Sequence, residues 1–233
     1  MKLITNEISK SQANYYDTLL KEYGPSVDAV ASGKQIYKEL RYEKLCGVFE
    51  KDIELTLHDV GCGLCHLYEY IKKAYPDKSI NYSGSEITSE FVDYCRKNYP
   101  TNQFYYRDLS ERAFDERYDY LVFGGTFYHL VDTTEKNFDI YMKKMIVKAF
   151  AMCNRGLAFN FITSYVQYRY DGLFYAKVPN IIDFVANNMS RFFSIDHAYP
   201  LYEYTVYIYK EEYIASHYRD ESFRKYFKTI DVG

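Results

Sequence analysis

One stretch between residues 55 and 71 constrains the fold more than any other. It reads L-T-L-H-D-V-G-C-G-L-C-H-L-Y-E-Y-I. The apolar residues Leu55, Leu57 and Val60 predict a strand, and the apolar spacing after Gly63 predicts a helix. The glycines between them let the backbone approach a ligand closely, and a helix N-terminus presents unpaired N–H groups. The stretch therefore predicts a strand, a tight turn and a helix that together hold a nucleotide-like ligand.

The chain continues as an alternation of predicted strands and helices. Strands are expected over residues 55–60, 80–85, 103–107, 118–123 and 156–162. The helices between them are expected over residues 65–75, 89–98 and 137–153. Because strands that alternate with helices pair in parallel, this order predicts an α/β fold with a doubly wound, mostly parallel sheet.

The segments outside this alternation have patterns of their own. Residues 8–23 and 34–49 have helical spacing and predict an N-terminal helical cap. A further helix is expected from Pro179 to about residue 189. Two strands close together, at 191–197 and 202–209, predict an antiparallel C-terminal hairpin that completes a seven-stranded sheet. The charged tail, residues 211–228, is expected to be helical.

Small or acidic residues follow the predicted strands. Ligands of open α/β sheets bind at the carboxyl ends of the strands, so these residues are candidates for a site. Alone, each has a simple structural explanation, such as a turn glycine, an acidic residue at a helix N-terminus or an N-cap. Their joint occurrence favours a site. The four stretches are Asp59-Val60-Gly61-Cys62-Gly63, Gly84-Ser85-Glu86, Arg107-Asp108-Leu109 and Gly124-Gly125-Thr126-Phe127-Tyr128-His129.

This set of motifs resembles the class I (Rossmann-like) S-adenosylmethionine-dependent methyltransferases over residues 55–162. The family's first motif is an acidic residue, one spacer and G-x-G, which matches Asp59 to Gly63. The resemblance implies S-adenosyl-L-methionine as cofactor and S-adenosyl-L-homocysteine as product. It also implies that Glu86 holds the ribose hydroxyls and that Asp108 reaches the adenine amino group. The other expected cofactor-binding residues are Gly61, Cys62, Gly63, Ile87, Leu109 and Gly124.

The sequence pattern predicts the parts of one domain, and the resemblance implies a role for Arg41. A single methyltransferase domain is expected over residues 1–233, and its parts are a helical cap (1–52), a cofactor-binding core (53–162), an aromatic insert (163–178) and the C-terminal part of the core (179–233). Arg41, in the cap, is expected to reach the methionine carboxylate, as cap arginines do in some similar enzymes. A solvated helix face is the alternative for this residue.

Other readings of the glycine stretch fit less well. A nicotinamide site wants G-x-G-x-x-G, and the third glycine position is His66. Cys62 and Cys65 form a C-x-x-C pair, but a thioredoxin-like fold gives no role to the acidic strand ends. A zinc site lacks a second C-x-x-C or a nearby histidine pair, so no metal is expected. The methyltransferase pattern often has a further glycine where Cys65 stands, so a slightly bulkier turn is expected.

His129 is the best candidate for a general base. It follows the fourth strand, and its ordinary pKa suits proton transfer at neutral pH. Its neighbour Tyr128 is expected to orient the substrate. The predicted reaction is methyl transfer to a hydroxyl group by in-line displacement. Transfer to the nitrogen of a small amine or aminoalkyl phosphate, and catalysis by positioning without a base, are the alternatives.

Tyrosine is unusually frequent, and some of the tyrosines are expected to line the substrate-binding part of the site. The chain has 29 Tyr and 16 Phe but no Trp. Tyrosines offer flat stacking area and hydroxyl groups, which suit a sugar ring or a cationic amine. Simple packing is the alternative. The predicted substrate residues are Tyr165, Tyr168, Tyr175, Tyr202 and Glu203.

Two sequence segments resemble those of a subgroup of small bacterial methyltransferases that act on small molecules. They are Gly156-Leu157-Ala158-Phe159-Asn160-Phe161 and Tyr202-Glu203-Tyr204-Thr205-Val206-Tyr207. This resemblance implies a role in capsule, polysaccharide or secondary-metabolite biosynthesis.

Composition narrows the partners. The net charge is −3, and there is no basic patch, so a nucleic-acid partner is not expected. No stretch is apolar enough for a membrane span, and the residues at the start of the sequence lack the apolar core expected of a signal peptide. The five cysteines then fit a reduced, cytoplasmic chain, expected as a monomer or homodimer. An RNA or protein methyltransferase and a non-catalytic cofactor-binding module stay open.

Overall fold

The computed structural model describes residues 2–30 and 33–227, with side chains from residue 5 onward. The α-helices are α1 (Lys2–Tyr23), α2 (Gln35–Cys46), α3 (His66–Ala74), α4 (Ser89–Asn98), α5 (Glu135–Met152), α6 (Val178–Asn188) and α7 (Glu211–His217). The strands are β1 (Glu54–Val60), β2 (Ser79–Glu86), β3 (Gln103–Tyr106), β4 (Tyr118–Phe123), β5 (Cys153–Thr163), β6 (Tyr175–Ala176), β7 (Phe193–Asp196) and β8 (Glu203–Tyr209). Short 3-10 helices cover Asp28–Val30, Gly47–Phe49 and Glu221–Tyr226.

The strands form one sheet in the order β3-β2-β1-β4-β5-β8-β7. The pairs from β3 to β5 are parallel, and β8 pairs antiparallel with both β5 and β7. This confirms the predicted seven-stranded, mostly parallel sheet with an antiparallel C-terminal hairpin. The two-residue strand β6 adds to it, in parallel with the end of β5. The strand order reverses between β1 and β4, and that reversal opens a crevice at their carboxyl ends.

The central strand β4 is buried on both faces, because helices pack against each side of the sheet. Leu121 and Phe123 of β4 pack with α5 in one core, and Tyr120 and Val122 pack in the other core with α2, α3 and α4. All four side chains are at most 1% exposed. Rigid strands thus hold the loops at the carboxyl edge.

Element bounds agree closely with the sequence predictions inside the core and less closely at the ends. Strand β4 and helix α4 have the predicted bounds. The tail, expected as one helix, is interrupted after His217 and resumes as a 3-10 turn, and residue 228 lies outside the described residues. None of the helices in the described part of the chain is long and apolar enough to cross a membrane.

Candidate functional site

The loop after β1, residues 61–65 (the glycine loop), turns through left-handed backbone conformations. Gly61 has φ +81° and Gly63 has φ +53°. A Cβ atom on Gly61 would lie 2.9 Å from Oγ1 of Thr126, so a side chain there would collide with the loop after β4. Cys65 also has positive φ, +63°, at the N-cap of α3. The family's further glycine would suit this conformation, and the cysteine adopts it instead.

The glycine loop forms one wall of a cavity at the carboxyl ends of β1, β2 and β4. The cavity has an empty volume of about 930 Å³, including the open space at its mouth. Gln12 and Tyr16 of α1 and Tyr42 of α2 close it from the helical cap. Seven of the predicted cofactor residues line it: Gly61, Cys62, Gly63, Glu86, Ile87, Leu109 and Gly124.

Glu86 is the only carboxylate among the residues that line this cavity. Its oxygens accept hydrogen bonds from the backbone N–H of Gly63 at 2.7 Å and from that of Ile87 at 3.0 Å. Burial raises the pKa of Glu86 to about 7, against the lowering effect of these two N–H groups. The strand end therefore presents a carboxyl group that can accept hydrogen bonds from hydroxyl groups of a ligand.

Asp59 lies just behind the cavity wall, which Val60 and Gly61 form. It is 3% exposed, and the Tyr82 hydroxyl donates to its Oδ2 at 2.8 Å. Burial raises the pKa of Asp59 to about 7, partly offset by this hydroxyl. Its Oδ1 is buried without a hydrogen-bond partner in the described structure. A buried acceptor without a partner is costly, so it fits a donor that arrives with a ligand or a water molecule.

Asp108 lies outside the cavity. Its carboxylate accepts hydrogen bonds from the backbone N–H of Ser110 at 2.6 Å and from the Ser110 hydroxyl at 2.8 Å. It borders a separate surface depression beside α1, while Arg107 and Leu109 line the main cavity. The structure therefore shows Asp108 capping its own turn, and its contact with an adenine amino group stays a prediction.

The loop after β4 contributes Gly124, Gly125 and Thr126 to the opposite wall. The Gly125 N–H donates to Oδ1 of Asn160 at 2.9 Å. Asn160, fully buried on β5, also donates through Nδ2 to the hydroxyl of Tyr128. This amide therefore fixes both the cavity wall and the side chain behind it.

Three residues predicted for different roles meet in this network. The Tyr128 hydroxyl donates to Oε2 of Glu203 at 2.7 Å. Arg41 pairs with both oxygens of Glu203 and directs its side chain there rather than into the cavity. Arg41, Tyr128 and Glu203 thus satisfy one another, and none of them lines the cavity.

His129 is half-buried and lies one ring away from the cavity. Its imidazole is 5.7 Å from the ring of Tyr15 and 6.4 Å from that of Tyr16, between centroids. Tyr16 lines the cavity, and His129 does not. His66 does line it, but burial and the nearby Lys38 lower the pKa of His66 to about 4, which makes it a poor base at neutral pH.

The predicted substrate tyrosines also lie off the cavity wall. Tyr165, Tyr168 and Tyr202 are 63%, 55% and 49% exposed, at the carboxyl edge of the sheet near β5 and β8. Tyr175 is buried, and its hydroxyl accepts a hydrogen bond from the backbone N–H of Tyr170 at 2.8 Å. The sequence had singled out none of the lining residues of the helices: Gln12, Tyr16, Tyr42, His66, Phe91, Tyr141 and Met145. Each lies in a helix, and the helical spacing of a sequence does not show which residues line a cavity.

The known proteins that are similar to this chain include methyltransferases. No family model matches the chain. It is 24% identical over 159 residues to "Putative methyltransferase Rv1506c" of Mycobacterium tuberculosis, a match that covers 66% of this chain and 93% of that protein.

Solved structures with the same fold contain the cofactor. Magnesium protoporphyrin IX methyltransferase (ChlM) from Synechocystis with bound SAM aligns with a TM-score of 0.58 and 15% identity, over 87% of this chain and 96% of that one. The DhpI-SAM-HEP complex aligns with a TM-score of 0.60 and 14% identity, over 86% and 97%. These alignments agree with the sheet order and the glycine loop. All three indicate the Rossmann-like fold.

Proposed function

We propose that this chain, whose fold is that of the class I, Rossmann-like S-adenosylmethionine-dependent methyltransferases, transfers a methyl group from S-adenosyl-L-methionine to a hydroxyl of a small polar metabolite or sugar derivative. The observation that carries the proposal is Glu86, a cavity carboxylate held by the backbone N–H of Gly63 in the glycine loop. When bound, the cofactor's sulfonium supplies an electrophilic methyl group.

The residues around the cavity fit this cofactor. Glu86 would accept hydrogen bonds from the ribose hydroxyls, and Gly61 leaves the space that a side chain would fill. The unpartnered Oδ1 of Asp59 would accept from the cofactor's ammonium group, directly or through water. Ile87 and Leu109 supply apolar wall beside Glu86, which suits the adenine ring.

The acceptor is proposed to be small because of what closes the cavity. Gln12 and Tyr16 of α1 lie over it, so a bulky acceptor would have to displace the helix. The net charge of −3 offers no attraction for RNA. The exposed tyrosines Tyr165, Tyr168 and Tyr202 would then contact the acceptor as it enters the site. They would not position it beside the methyl group.

Most of the rate acceleration is proposed to come from positioning. Holding a nucleophile in line with the methyl group can lower the barrier by about 7–11 kcal/mol at best. His129 is the proposed base, and Tyr16 lies between it and the cavity. For the imidazole to reach an acceptor hydroxyl, the Tyr16 side chain of α1 has to move aside.

N-methylation is the alternative that the cavity also suits. Tyr16, Tyr42 and Tyr141 present aromatic rings to it, and such rings bind cationic amines. An amine acceptor needs only to arrive unprotonated, so His129 would be dispensable for it.

One experiment tests the reaction and separates the two acceptor classes. The chain is incubated with methyl-¹³C-labelled S-adenosylmethionine and a panel of sugars, polyols and small amines, and products are read by NMR. The proposal expects a new labelled O-methyl signal with at least one hydroxyl acceptor. Signals from N-methyl groups alone would favour the alternative. Release of S-adenosylhomocysteine with no methylated acceptor, or no turnover with any acceptor, counts against the proposal.

A further inference from the structure

Three cysteine side chains meet beneath the glycine loop, although only two of them are close in sequence. Cys62 and Cys65 belong to the loop, and Cys95 lies on α4. Their sulfur atoms all lie within 4.8 Å of one another. The Sγ atoms of Cys65 and Cys95 approach to 2.8 Å. The sequence showed a bare C-x-x-C pair, and the fold supplies a third thiol from 30 residues further along.

The surrounding packing accommodates these sulfur atoms. Cys65 and Cys95 are 0% exposed, and Cys62 is 7% exposed. A Cβ on Gly84 of β2 would lie only 2.6 Å from Sγ of Cys62, so the glycine leaves room for that sulfur. Cys62 also lines the main cavity, which gives a small ion a route to the buried cluster.

We propose that Cys62, Cys65 and Cys95 form a binding site for a thiophilic metal ion of the Zn²⁺ or Cu(I) class. Thiolates are the preferred ligands of these ions. A Zn–S bond of about 2.3 Å places two sulfur ligands of one ion about 3.8 Å apart. The present sulfur separations, from 2.8 Å to at most 4.8 Å, bracket that value, so side-chain adjustments of about an ångström build the site.

The ion would connect two parts of the cofactor pocket. Cys62 and Cys65 lie in the glycine loop, and Cys95 lies on the neighbouring helix α4. Cys95 already contacts the loop, because its Sγ lies 3.1 Å from the carbonyl oxygen of Gly63. Coordination by all three thiolates would replace this weak contact with a rigid link between loop and helix. The metal site depends on the thiols alone and not on the identity of the methyl acceptor.

A cadmium titration tests the site without any organic ligand. The protein is first reduced, and the reductant is removed under anaerobic conditions. It is then titrated with Cd²⁺ while the thiolate-to-metal charge-transfer absorption is recorded in the ultraviolet. The expected result is one ion per chain, displaced by excess Zn²⁺. Cys95→Ser is expected to weaken Cd²⁺ binding at least tenfold. The controls Cys46→Ser and Cys153→Ser remove buried thiols outside the cluster and are expected to leave the titration unchanged.

X-ray absorption at the cadmium edge of the wild-type chain gives a readout that needs no variant to fold. Three sulfur ligands per ion are expected. Fewer than three sulfur ligands, no stoichiometric absorption with fully reduced thiols, or equal binding by Cys95→Ser would overturn the metal site. None of these results would bear on binding of S-adenosylhomocysteine, so failure here is distinguishable from failure of the proposed reaction.

Discussion

The guanidinium of Arg41 on α2 holds both carboxylate oxygens of Glu203 at the start of β8, at N–O distances of 2.7–2.9 Å. Their side chains are 15% and 7% exposed, so the pair is largely removed from solvent. It joins the helical cap to the antiparallel edge of the sheet. Through Tyr128 and Asn160 it is also connected to Gly125, which lines the cavity.

Breaking this pair from one side is expected to destabilise the fold. Arg41→Met keeps an unbranched apolar stem but leaves the Glu203 carboxylate buried without its cation. Removing one partner of a buried pair costs about 3 kcal/mol or more in the free energy of unfolding. Urea denaturation measures this loss. The matched control is Arg224→Met, because Arg224 and its partner Glu221 are 76% and 85% exposed. Equal losses in the two variants would contradict the structural role of the pair.

Gly61→Val is expected to abolish cofactor binding. The backbone there has φ +81°, and a Cβ would meet Oγ1 of Thr126 at 2.9 Å, so the loop must move. Gly172→Val is the matched control, since Gly172 has φ +77° but no neighbouring atom within 4 Å. Valine is strained at the positive φ of both positions, but only at position 61 does its side chain collide with the loop that forms the cavity wall. Calorimetry with S-adenosylhomocysteine separates them; binding retained in Gly61→Val would show that the loop is not the cofactor loop.

The contribution of Glu86 and Asp59 to stability is expected to fall as pH rises from about 4 to about 7. Burial raises the pKa of Glu86 and that of Asp59 to about 7 in the folded chain, above their ordinary values of 4.5 and 3.8. At these two groups the folded chain binds more protons than the unfolded chain between these limits, so their contribution to the free energy of unfolding decreases with pH and levels off above about 7. The buried His58 and the partly buried His66, whose pKa values are lowered, contribute in the opposite direction. Urea denaturation across this range measures the slope.

The variant Glu86→Gln removes one of the two groups, so its free energy of unfolding is expected to decrease less, or to increase more, with rising pH than that of the wild type. Glu69→Gln changes an exposed glutamate on α3 and is expected to leave the slope as it is. An unchanged slope in Glu86→Gln would contradict the raised pKa of this carboxyl group.

His129→Ala tests the proposed base. If the imidazole removes a proton from an acceptor hydroxyl, turnover is expected to fall about 10²-fold or more. Affinity for S-adenosylhomocysteine should stay near that of the wild type, because His129 does not line the cavity. The measurement is turnover of the acceptor found by the labelling experiment, with His217→Ala on α7 as the control. Unchanged turnover would leave positioning as the whole mechanism.

The sequence predicted the core of this fold because its signals are local. The apolar period marks β1 and β4, and Gly61 and Gly63 mark the turn whose positive φ they adopt. Glu86 lines the predicted cavity because strand ends in a parallel sheet share one edge.

The remaining site residues depend on contacts that no local pattern encodes. Arg41 and Glu203 are separated by 162 positions, and only the folded chain shows that they pair with each other. Gln12 and Tyr16 reach the cavity because α1 packs across it, which a helical pattern alone does not reveal. Cys95 joins Cys62 and Cys65 for the same reason, since α4 and the glycine loop meet only in space.

Calorimetric titration with S-adenosylhomocysteine tests the central claim most directly. The wild-type chain is expected to bind one molecule and to gain thermal stability, because the ligand binds only the folded state. Glu86→Ala is expected to weaken this binding at least tenfold while the chain stays folded, and Glu69→Ala is expected to match the wild type. No heat and no thermal shift with the wild-type chain, even at millimolar ligand, would contradict the assignment of this cavity to S-adenosylmethionine.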